Sequence, residues 1–107
     1  MTTFNEREQA FEAKFAHDKD MAFRILARRN RLLGEWAGQR MGLTEVEGDA
    51  YAKEVIRAEF EEAGDEDVIR KLLGDLTAAG VEIDEATIRA EMGHKEVDAR
   101  RQLMEAK

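Results

Sequence analysis

Not one of the 107 residues is a proline, so nothing in the chain obliges a helix to kink or stop by removing an amide donor. A soluble chain ordinarily carries about 5% proline. Aromatic and β-branched residues are sparse beside Ala, Leu, Glu, Arg and Lys, which are strong helix formers. The reading is nearly all helix. Without proline, helix ends must be set by glycines and capping side chains, and these are clear.

One helix fits from Lys19 to Met41, with Asp18 as its N-cap and Gly42 as its stop. Met21, Ile25, Leu32, Leu33 and Trp36 form its apolar surface, broadened by Phe23 and Leu26. Thr44 and Glu47 have capping-box spacing for a second helix. That helix is expected to run to Glu62 and stop near Gly64, burying Tyr51 or Ala52 with Val55, Ile56 and Phe60. Asp65 is expected to cap a third helix, whose first turn carries Glu66 and Asp67 where the helix dipole favours acids. Its stripe is Ile69, Leu72, Leu73 and Leu76, and Gly80 ends it. Asp84 caps a fourth helix, with Ile83 and Ile88 spaced as a hydrophobic staple. Ile88, Met92, Ala99 and Leu103 continue its inner face. Short connections predict antiparallel neighbours. The expected architecture is all-α, a compact four-helix domain over residues 18–107. Gly34, Gly38, Gly48, Gly74 and Gly93 fall inside these helices, each at a cost of about 1 kcal/mol relative to alanine unless close packing requires it.

Before this body stands an arm, residues 1–17. It holds Phe4, Phe11 and Phe15, three of the five phenylalanines of the chain. At 100° per residue the three rings fall within about 40° of one another, on an otherwise polar segment. Such a thin stripe has little to bury by itself and suits docking into a groove elsewhere. Packing back across the bundle and self-association are the other outcomes weighed. Thr3 with Glu6 and Asn5 with Glu8 offer two helix starts. As an isolated helix the arm is marginal in water, so it is expected to fluctuate when free and order on binding. It can also continue into the first body helix.

Charge divides the chain. Its total is −7, which argues against a nucleic-acid partner. Residues 19–41 carry a net +4 and residues 45–67 a net −8, so a basic helix beside an acidic one can hold the bundle in register. Arg24, Arg28 and Arg31 share a face and could also meet an acidic partner or phosphates. No cysteine is present, which removes disulfide and thiolate chemistry. No apolar stretch approaches the length of a membrane span, and no leader pattern opens the chain. The expectation is a soluble cytoplasmic protein. His17 and His94 lack metal-ligand spacing and read as solvated residues. Glu61, Glu62, Asp65, Glu66 and Asp67 do not match a calcium loop, and no phosphate-binding loop occurs. No catalytic residue and no metal site emerges.

The run from Phe4 to Asp18 resembles the N-terminal signature of the zeta subunit of alphaproteobacterial F-type ATP synthases. Ala27 to Ala37 and Gly64 to Val68 resemble that family too, and the similarity spans the full length. It implies a four-helix, non-catalytic protein that inhibits ATP hydrolysis by the catalytic head. Its N-terminal segment would enter a catalytic α/β interface near the γ shaft, become helical and block hydrolytic rotation, with little effect on synthesis. Carried to this chain, the inhibitory element is Thr2 to His17, with Phe4, Arg7, Glu8, Phe11, Lys14 and Phe15 as contact residues. Arg24, Arg28 and Arg31 form a secondary basic face. The implied setting is the cytoplasmic face of the inner membrane, reached through the ATP synthase and without membrane insertion. A monomer is expected when free. No cofactor is implied, although the group suggests weak ATP or ADP binding for which no motif is present here. Asn5 departs from an acid common in the family. A helical adaptor for another partner and a small adenine-nucleotide-responsive protein are the alternatives.

Overall fold

The computed structural model describes residues 4–59 and 64–105, with the backbone alone described for 4–18. Four helices follow in order, α1 Phe4–Arg40, α2 Glu45–Ala58, α3 Glu66–Ala78 and α4 Glu85–Glu105. No strand occurs among the described residues. The all-α, four-helix class expected from the sequence is the class observed.

Two glycines end their helices as the sequence suggests. Gly42 (φ 74°) and Gly80 (φ 82°) adopt the left-handed conformation that other residues avoid. At each, the glycine amide donates back to the helix, Gly42 to Gln39 and Gly80 to Thr77. The next amide reaches further, Leu43 to Gly38 and Val81 to Leu76, both at 3.0 Å. These paired bonds satisfy carbonyls that a helix end leaves orphaned. At the other ends, Thr44 and Glu47 make both bonds of the capping box. Asp84 Oδ1 accepts from the Thr87 amide at 2.8 Å.

Three expectations need correction. Asp18 does not stand at a helix start, because its backbone lies inside α1. No proline or glycine interrupts residues 4–33, so a helix nucleated in the body propagates backwards without a second nucleation cost. Its start at Phe4 agrees with the earlier of the two expected positions. Second, α2 ends at Ala58 rather than Glu62. Phe60, Glu61 and Glu62 lie outside the described residues. Third, Asp65 makes no side-chain cap for α3, because its carboxylate is used elsewhere.

The core is shared by all four helices. Leu33 and Ala37 from α1 meet Tyr51, Val55 and Ala58 from α2, Val68, Ile69, Leu72 and Leu76 from α3, and Ile88 and Met92 from α4. Trp36, Leu73 and Ile83 pack on its edge. Phe23, expected to broaden the apolar surface of α1, is 53% exposed, Val46, Val97 and Met104 are exposed too, and Ile56 is only partly covered. Gly34 lets α1 and α2 touch, since a Cβ there would stand 2.6 Å from the Ala52 Cα. Across α2 and α3, the Tyr51 hydroxyl donates to Asp75 Oδ2 at 2.8 Å. Burial and the Asp75 carboxylate push that phenol far above its ordinary range. The radius of gyration is 17.4 Å, against about 13 Å for a compact domain of this length. A 37-residue α1, roughly 55 Å long, accounts for the excess.

Candidate protein-docking surface

The surface is built on α1, which joins the arm to the body as one rod. A separation of 18 residues is five full turns. Positions 4, 11 and 15 therefore repeat, in helical register, as 22, 29 and 33. At 29 and 33 that line is buried in the body, whereas at 22, nearest the arm, it is exposed. The sequence positions occupied by Phe4, Phe11 and Phe15 thus continue the inward line of α1 towards its N-terminus. The side chains of Phe4, Arg7, Glu8, Phe11, Lys14, Phe15 and His17 lie outside the described residues, so their contacts stay as expected from sequence.

Besides the apolar contacts of Leu33 and Ala37, the rod is fixed to the body by Arg29, which is 1% exposed. Its Nη2 donates to Asp65 Oδ1 at 2.8 Å and to Glu59 Oε2 at 3.3 Å, and its Nη1 to Glu96 Oε1 at 3.4 Å. Its Nε donates to Asn30 Oδ1 at 3.0 Å, and Asn30 Nδ2 donates to Glu59 Oε2 at 3.2 Å. One guanidinium therefore ties α1 to the end of α2, the start of α3 and the middle of α4. A charge this buried persists only when paired and hydrogen-bonded throughout. Among the described residues no buried side-chain polar atom lacks a partner. Burial raises the Glu59 carboxyl above the usual carboxylate range, with the Asp65 carboxylate adding to it, against the lowering pull of Asn30 and Arg29.

Sequence reasoning missed this hub, although a signal was present. Position 29 falls on the apolar line of α1 with Leu33, and an arginine there must meet acids from other elements. The same contact explains the missing cap at Asp65. Glu66 and Asp67, the other described members of the expected acidic cluster, also meet arginine, while Glu61 and Glu62 lie outside the described residues. Glu66 holds Arg89 at 2.9 Å, and Asp67 holds Arg70 at 3.0 Å. Among the described residues no group of three or more His, Cys, Asp or Glu could hold a metal ion.

Arg24, Arg28 and Arg31 are each engaged inside the chain. Arg24 pairs with Asp20 at 3.1 Å, and Arg31 with Glu35 at 3.2 Å and with Asp49 of α2 at 3.0 Å. Arg28 Nη1 donates to the Gln102 amide oxygen of α4 at 3.3 Å. The Arg31–Asp49 pair joins the basic α1 to the acidic α2, as the charge division predicts. Trp36 sits at the core edge beneath the Arg40 guanidinium, 5.1 Å from its ring centre. His94 is exposed on α4, 3.9 Å from Glu91. No helix among the described residues is long and apolar enough to cross a membrane.

Comparison with known proteins agrees with this architecture. The family described as ATPase inhibitor subunit zeta matches residues 1–102. A protein whose structure was solved by NMR in solution is 45% identical, with a TM-score of 0.73 over 81% of this chain and 99% of that one. Among curated proteins none matches.

Proposed function

This chain belongs to the ATPase inhibitor subunit zeta family, and from that membership we propose a non-catalytic regulator that inhibits ATP hydrolysis by F-type ATP synthase. In this reading the N-terminal segment, residues 2–17, enters a catalytic α/β interface beside γ and blocks rotation in the hydrolytic direction. Phe4, Phe11 and Phe15 supply the apolar contact, and Arg7, Glu8 and Lys14 the polar flanks. The partner holds the protein at the cytoplasmic face of the inner membrane.

The observation that carries the reading is the family match that includes the arm itself, from residue 1 to residue 102. The continuous α1 gives it a physical basis. An element that must resist a rotating shaft has to transmit force to a folded body, and an unbroken helix does so better than a hinge. The body end of that helix is clamped by Arg29 to three other segments.

The test is directional. Inverted membrane vesicles carrying the ATP synthase, stripped of endogenous inhibitor, are given the full chain, and ATP hydrolysis and proton-driven ATP synthesis are measured side by side. Hydrolysis should fall while synthesis is little changed. Equal loss of both would sink the one-way block, and no loss of either would sink inhibition.

A further inference from the structure

We propose that the face of α1 opposite the aromatic line carries a second docking groove, which receives an acidic, apolar-edged helix of the same ATPase partner. The proposal rests on the inhibitory reading and adds to it a contact made by the body. The groove is an open cleft of about 660 Å³. Its apolar floor comes from three helices, with Phe23 and Ala27 of α1, Ile56 of α2 and Leu103 of α4. Arg24, Arg28 and Arg31 line it along α1.

Charge complementarity selects the occupant. Among the described residues, Arg28 meets the neutral amide of Gln102 and no carboxylate. The Arg24–Asp20, Arg31–Glu35 and Arg31–Asp49 pairs are exposed, with every side chain at least 44% accessible. Such pairs add little to folding and exchange readily for an incoming carboxylate. Spacings of four and three residues along α1 place the guanidinium groups on one ridge. A helix laid beside that ridge can offer carboxylates at the same repeat, while its apolar edge covers Phe23, Ile56 and Leu103.

The direction of this face matters. In helical register, positions 24, 28 and 31 lie roughly 120–180° from the mean direction of positions 4, 11 and 15. One flat surface cannot receive both. The arm and the groove therefore meet different elements of the partner, and α1 is held from two sides.

The test measures binding of the purified ATPase head to the full chain and to Arg28→Glu, Arg28→Gln and Phe11→Ala variants, across a range of salt. Arg28→Glu should weaken binding at least about tenfold and flatten its salt dependence, with a smaller loss for Arg28→Gln. Both Arg28 variants should keep the wild-type melting temperature and, at saturation, should still inhibit hydrolysis fully. If Arg28→Glu binds with wild-type affinity and salt dependence while Phe11→Ala loses binding, the groove is not a contact and the inhibitory reading survives. If the wild-type chain fails to bind the head, both fall.

Discussion

At the scale of single residues, Arg29 joins α1 to three other segments of the body through ion pairs of its buried side chain. Arg29→Ala leaves Glu59, Asp65 and Glu96 without their common cation, and should cost about 3–5 kcal/mol of stability, read from denaturant unfolding. Glu59 gives a pH signature. Its carboxyl is raised in the folded state, so the folded chain holds that proton at pH values where the unfolded chain has released it. Stability linked to Glu59 is therefore absent at neutral pH, grows as pH falls through the raised value, and is complete below the ordinary carboxylate range. Glu59→Gln has no carboxyl to take up that proton. The stability of the wild type relative to Glu59→Gln should rise on acidification, and parallel pH profiles for the two proteins would refute the account. The glycines separate in the same manner. Gly34→Ala drives a methyl group into the Ala52 backbone and should destabilise by about 1–3 kcal/mol. Gly74 and Gly93 face open space inside their helices, so alanine at either should stabilise by up to about 1 kcal/mol. The sequence raised both possibilities for its helical glycines, close packing or an unstable body. It could not assign them, since helix contacts are not visible in one strand of spacing.

Elements were the most legible scale. Thr44 with Glu47, Asp84, Gly42 and Gly80 mark helix ends because their chemistry is local, a hydroxyl or carboxylate beside an amide, or a positive φ. The failures have non-local causes. Asp65 has the residue type of a cap, but a buried arginine 36 positions away takes its oxygen. Asp18 has it too, but a helix already nucleated in the body runs past it. The stop of α2 at Ala58 comes before any residue that would announce one, and Glu59 is drawn instead to Arg29 and Asn30. The arm itself is legible only as a pattern of three phenylalanines and as a family resemblance, since its target lies in another molecule. That pattern still makes a quantitative claim. Burying a phenylalanine contributes about 1.5–3 kcal/mol, so Phe11→Ala should raise the inhibitory concentration roughly 10- to 100-fold. Its circular dichroism and melting temperature should match wild type, as the docking reading of the arm requires.

For the whole molecule, the structure combines a rod and a clamp. The long α1 sets the 65 Å dimension of the chain, while the other two extents are 27 and 21 Å. Its C-terminal half is embedded among α2, α3 and α4, and its N-terminal segment carries the family signature. Opposite charges on α1 and α2 meet inside the chain, as in the Arg31–Asp49 pair. The charge division first read as a way to hold the bundle in register is used in that manner. The central claim is that inhibition resides in the arm and that the body positions it. The most direct measurement is a titration of purified alphaproteobacterial ATPase head, freed of its own zeta subunit, with the full chain and with a chain lacking residues 2–17 whose fold is verified by circular dichroism. The account predicts that ATP hydrolysis falls with the full chain and is unchanged by the truncated one. Equal inhibition by both would place the activity in the body and contradict it, as would no inhibition by either on a head that a known inhibitor still stops.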